Sequence, residues 1–205
     1  GQSNMQGTAN TGTAGDMAAD PKAKALHDKV VGADGKAKSF NDVRIAAFPG
    51  GKEPTTKSGP LTVGYGKALT DENVCGPELG FGVTMHGIVK EPILIIKTAW
   101  GGTSLYMDFR PPSAGPYNLN ETEIKKIKQR GGDLEAESVK RKEMSGVYYR
   151  LMMDHVKYVL KDIKRVCPIY DERQGYEIAG FVWFQGWNDM VNRDVYPRRD
   201  QKGGY

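Results

Sequence analysis

The chain is poor in cysteine, in histidine, in long apolar runs and in charge of one sign. Its two cysteines, Cys75 and Cys167, stand 92 positions apart, and neither belongs to a Cys-x-x-Cys pair, which argues against a cysteine zinc site. They read first as small buried hydrophobes, with a disulfide or reactive thiols as alternatives. Three histidines, no His-Glu-x-x-His and no EF-hand spacing leave no expected catalytic metal and no expected cofactor. No apolar stretch approaches the roughly 18 residues of a membrane span. Lys plus Arg is 29 against 25 for Asp plus Glu, a net charge of +4. That balance speaks against nucleic acid as the main partner, although a pI near 8.9 permits weak attraction to acidic polymers.

What is present is an ordinary globular mixture of 205 residues, 39% apolar and 26% charged, enough for one domain with a sizeable core. The 26 glycines are about twice the usual share and point to tight turns or to backbone lying close to a ligand. Residues 1–42 read as loop with short helical turns around 21–31. Val43–Phe48, closed by Pro49-Gly50-Gly51, reads as a strand, and residues 49–76 as loop. Pro77 and Glu78 start a helix that runs to about Val89. Ile93–Thr98 is apolar on both faces, as in a parallel strand covered by helices. Seven basic and six acidic residues between Glu121 and Glu143 predict a solvated, charged helical segment at about 117–145. Gly146–Val166 carries one apolar stripe (Val147, Leu151, Met152, Val156, Val159, Ile163, Val166) and predicts a long helix. Ile178–Phe184 reads as the next strand. Strands alternating with helices predict an α/β fold with helices on both faces of a parallel sheet, and ligands at the carboxyl ends of its strands.

Three glycine-bearing polar segments stand at such ends or open the chain: Gly1-Gln2-Ser3-Asn4-Met5, Trp100-Gly101-Gly102-Thr103-Ser104, and Gln185-Gly186-Trp187-Asn188-Asp189. Singly, each has a plain reading as helix cap, turn or Asx turn. Together they offer a hydroxyl nucleophile, backbone N–H donors and side-chain amides, the parts that acyl transfer needs. GQSNM at 1–5, GPELGFG at 76–82, KTAWGGTSL at 97–105, DFRPPSAG at 108–115 and WFQGWND at 183–189 resemble, in order, the sialate O-acetylesterase branch of the SGNH hydrolases, which includes carbohydrate acetylesterases.

That resemblance implies a three-layer αβα sandwich with a flavodoxin-like parallel sheet. It implies a single domain over 1–205, incomplete at both ends, and an acetylated carbohydrate as substrate. It makes Ser3 the nucleophile and draws the oxyanion donors from Ser3, Gly101, Gly102, Gln185 and Asn188, with Gln185 favoured because family members usually read Gln-Gly-Glu-Ser. Here Trp187 and Asn188 replace the Glu and Ser of that block. Trp100 and Trp187 are candidate faces for stacking a sugar, with a place in the core as the alternative. Secretion or periplasmic export is what the family suggests.

The family's C-terminal Asp-x-x-His is not found up to Tyr205, and none of His27, His86 and His155 matches its position. The 205 residues are therefore expected to be a fragment with little activity alone. Rival classes lack their signatures: Gly-x-Ser-x-Gly is broken by Met5, and Gly64-Tyr65-Gly66-Lys67 only hints at a nucleotide loop. A non-catalytic carbohydrate-binding relative is the remaining alternative. Asn120-Glu121-Thr122 is a glycosylation sequon if the protein is eukaryotic and secreted.

Overall fold

The computed structural model describes residues 2–48, 56–67, 69 and 71–196. In chain order the elements are α1 (Gln2–Gln6), β1 (Ala9–Asn10), α2 (Ala14–Ala19), α3 (Lys24–Val30), β2 (Phe40–Ala47), β3 (Lys57–Leu61), β4 (Val74–Cys75), α4 (Glu78–Val89), β5 (Ile93–Lys97), α5 (Glu121–Gln129), α6 (Leu134–Met144), α7 (Val147–Lys161), α8 (Ile163–Val166) and α9 (Trp187–Val191). They fall into two compact units. A sheet unit comprises Ser3–Gly101 and His155–Trp183, and a helical unit comprises Gly1–Gln2, Gly102–Asp154 and Phe184–Tyr205.

The sheet unit is built on three strands in the order β3-β2-β5. β2 and β5 are parallel, in register from Val43↔Ile93 to Ala47↔Lys97. Between these two strands the chain runs through β3, β4 and α4. Side chains alternate across the pleat. Val43, Ile45 and Ala47 of β2, with Ile93 and Ile95 of β5, join Leu61, Tyr65 and Leu79 in one apolar cluster. Ala46, with Leu94 and Ile96, faces a second cluster of Val159, Ile163, Val166 and Cys167. Leu79 belongs to α4 and Val159 to α7, so helices cover both faces of a sheet with parallel pairing, the αβα arrangement that the strand–helix alternation predicts.

Three details differ from the sequence reading. The expected loop 49–76 holds the antiparallel strand β3, hidden in the sequence by Gly59 and Pro60; an edge strand tolerates a proline that a central strand cannot. The Pro49-Gly50-Gly51 stop lies outside the described residues. The single helix 146–166 is broken at Asp162, whose φ of −149° is not helical and whose carboxylate caps α8 by accepting from the Arg165 N–H. Finally, Ile178–Phe184 pairs with no strand among the described residues, and Ile178 and Phe181 are each 70% exposed. Its β-branched and aromatic composition sets a local tendency, but a strand exists only where a ladder partner does.

The helical unit depends on polar caps. Asn120 and Glu123 form a reciprocal capping box at the start of α5, and Asp133 accepts from Glu135 and Ala136 N–H to start α6. These two helices account for the charged segment expected at about 117–145. Both cysteines are free thiols in the sheet unit, half-buried at Cys75 and buried at Cys167, and burial raises the pKa of each.

Candidate active site

In the sheet unit, Ser3 lies on the short helix α1 with its side chain exposed, and the turn closes through Gly7 N–H donating to Ser3 O at 3.0 Å. Gln6 fastens this turn twice. Its Oε1 accepts the Gly101 N–H at 3.0 Å, and its carbonyl accepts Lys97 Nζ at 2.9 Å. A Cβ on Gly101 would stand 2.7 Å from Gln6 Oε1 and 3.5 Å from Ser3 Oγ. Glycine at 101 therefore lets the strand end approach the Ser3 turn this closely. Trp100-Gly101 follows β5 directly, so the serine hydroxyl does sit at the carboxyl end of a parallel strand.

Lys97, the last residue of β5, is 9% exposed. Besides Gln6 O, its ammonium donates to Tyr65 O at 2.6 Å and to Glu78 Oε2 at 2.7 Å, so its three N–H groups have three acceptors. Burial lowers the Lys97 pKa, and the Glu78 carboxylate opposes that shift. The other oxygen of Glu78 accepts the Gly76 N–H at 2.9 Å. The GPELGFG and KTAWGGTSL blocks thus meet as a buried ion pair that grips the segment just after GQSNM. Gln6, Lys97 and Glu78 escaped the sequence reading. A signal was there: a lysine ending the apolar run Ile93-Leu94-Ile95-Ile96 of a covered sheet must find a partner.

In the helical unit, the late block is tied to the start of the 102–106 loop. Gln185 Nε2 donates to Thr103 O at 2.8 Å. Asn188 Nδ2 donates to Gly102 O, and Asn188 Oδ1 accepts from Gln2 Nε2 at 2.5 Å. Asp189 is fully buried, and its carboxylate accepts the Leu105 N–H at 2.9 Å and the Tyr106 N–H at 3.1 Å. One N–H of each amide at 185 and 188 therefore holds loop backbone. Gly102 sits at φ +77°, a left-handed conformation that favours glycine, and no described residue accepts its N–H.

The aromatic candidates separate. Trp187 is 58% exposed, whereas Trp100 is 5% exposed and packs edge-on to Phe48 with ring centroids 5.7 Å apart. Trp100 takes the core role that the sequence had left open. The histidines sit in three settings. His27 Nδ1 is 3.0 Å from Asp28 on α3, and His86 lies half-buried in the last turn of α4. His155 is sealed in the sheet unit, stacked on Phe48 at 5.0 Å, with Nε2 3.5 Å from Ala46 O. Burial lowers its pKa, so it is held neutral.

The family model for carbohydrate esterases of the sialic acid-specific acetylesterase type matches residues 1–202. The chain belongs to this family. No curated protein and no solved structure matches it. As a carbohydrate esterase it is a hydrolase acting on carbohydrate. Among the described residues no helix is long and apolar enough to cross a membrane.

Proposed function

We propose that this chain is a serine esterase of the SGNH type that removes O-acetyl groups from carbohydrate, sialic acid or an acetylated polysaccharide, through an acyl-enzyme. The observation that carries the reading is the exposed Ser3 hydroxyl set against Gly101, in a turn locked by Gln6 and Lys97. Ser3 Oγ attacks the acetyl carbonyl and loses its proton to a base; the sugar oxygen leaves carrying a proton, and water then releases acetate from the serine. Ser3 N–H, Gly102 N–H and the amides of Gln185 and Asn188 are the proposed oxyanion donors. Gly101 serves instead as the close-approach residue, because its N–H already goes to Gln6. The family match runs through both units and supports one catalytic domain over 1–205.

A fluorophosphonate probe tests the nucleophile. Covalent labelling of the full chain that disappears in Ser3→Ala is the expected result; labelling that persists in Ser3→Ala would remove Ser3 from the role. Gln185→Ala should lower the rate by about 10² to 10³ if its amide faces the oxyanion, and a change within about threefold would exclude it. The exposed Trp187 ring favours a second reading, a sugar-binding relative without catalysis. Sugar binding without any labelling would support that reading over the enzyme.

A further inference from the structure

A side-chain amide has one end that donates and one that accepts, so the way it faces decides what it can do. Within the helical unit, neighbours make that choice for Asn188. From α9, Asn188 gives one Nδ2 N–H to Gly102 O and takes Gln2 Nε2 on its Oδ1 at 2.5 Å. A backbone carbonyl can only accept, so Gly102 O demands the nitrogen of Asn188. That turns Oδ1 towards Gln2, which must answer with its own nitrogen. The three groups form a one-way chain, Gln2 to Asn188 to Gly102, anchored at the end that cannot turn round.

Gln2 bears the cost of this order. It is 3% exposed, and its Oε1 is shut away from solvent with no donor among the described residues. A buried acceptor left open is unfavourable, and such exceptions gather at functional sites. A methionine would fill similar space with no open acceptor, so packing alone does not call for an amide here. The rest of the loop has other anchors: Gln185 on Thr103 O, and Asp189 on the Leu105 and Tyr106 N–H groups. Gly102, at φ +77°, is the position that Asn188 reaches.

We propose that Gln2 is a positioning residue for ester hydrolysis. By donating to Asn188 Oδ1 it fixes the direction of that amide and keeps Nδ2 on Gly102 O. The second Asn188 N–H and the Gly102 N–H are thereby held ready for the oxyanion. The catalytic half of this assignment rests on the esterase reading above; the orienting contact rests on the three bonded groups alone.

Two measurements on the full chain test it. The first is amide NMR of the Asn188 side chain and the Gly102 N–H in the unaltered chain, Gln2→Met and Gln2→Glu. Gln2→Met removes the donor at similar bulk and should move both signals. In Gln2→Glu a protonated carboxyl can still donate to Asn188 Oδ1, whereas a carboxylate can only accept and turns the amide round. Both signals should therefore return towards their unaltered positions as pH falls through the pKa of the new carboxyl. Signals unmoved in Gln2→Met, or no return on acidification in Gln2→Glu, would overturn the contact.

The second is hydrolysis of para-nitrophenyl acetate. Gln2→Met should lower kcat about tenfold to a hundredfold, part of what a lost oxyanion donor costs, with KM within about twofold. In an Asn188→Ala background the same substitution should change kcat by less than about twofold, because Gln2 acts through Asn188. The Gln2→Glu rate, relative to the unaltered chain, should rise on acidification. An undiminished kcat in Gln2→Met, or the same factor lost in both backgrounds, would overturn the positioning role and leave Gln2 as packing. An unaltered chain that neither labels with fluorophosphonate nor turns over would overturn the esterase reading and the catalytic half of this one, while the Asn188 signals still decide the contact.

Discussion

The two units hold their loops by different means. In the sheet unit, a strand pair covered on both faces carries one buried ammonium at its end, and that single group fixes the Ser3–Gln6 turn, Tyr65 and Glu78 together. In the helical unit the loops are held by many side chains bonded to backbone: Asp189 on Leu105 and Tyr106, Asp108 on Ser104, Arg110 on three carbonyls. The first design concentrates its dependence in one ion pair, and the second spreads it. Breaking a buried pair strands a charge, whereas losing one loop bond strands dipoles, and the two penalties differ in size.

Lys97→Met should therefore cost the most, about 3–5 kcal/mol, because Glu78 is left charged and desolvated. Adding Glu78→Gln should recover a large part of that loss. Urea unfolding of the two single variants and the double variant checks this, and simple additivity would show that the pair is not coupled. Asp189→Ala should follow at about 2–4 kcal/mol, since the Leu105 and Tyr106 N–H groups lose a shared charged acceptor. A loss of only a few tenths would mean that the helical unit does not depend on this carboxylate.

The smallest effect belongs to pH. Burial sets the folded pKa of His155 below its ordinary 6.5, so between those values the unfolded chain binds more protons than the folded one. Stability should fall as pH drops below about 6.5 and go on falling until the folded pKa is passed. In His155→Gln that part of the slope should vanish, and an unchanged slope would assign the acid loss to other groups.

Local sequence signals carried the sheet unit into view. α4 follows from its Pro77-Glu78 start, β5 from its apolar run and α7 from the spacing of its stripe, and residues of all three pack into the two apolar clusters. The Ser3 turn and the Gly101 strand end, 98 positions apart, do meet. What spacing could not reveal is pairing. β3 hides behind Gly59 and Pro60, and Ile178–Phe184 has strand composition but no ladder partner strand among the described residues. Nor does periodicity register a carboxylate that reaches a backbone 84 residues away, as Asp189 does, because such a bond imposes no repeat on the chain. The Asn188-Asp189 pair was visible as chemistry, but its work on the 102–106 loop was not.

The bare stretch from Ile178 to Phe184 has a practical cost. It carries no charge and no proline, the two features by which natural sheets discourage sticking between molecules. In concentrated solution the exposed Ile178, Phe181, Val182 and Phe184 side chains offer, among the described residues, an oily strip on which a second copy of the chain can settle.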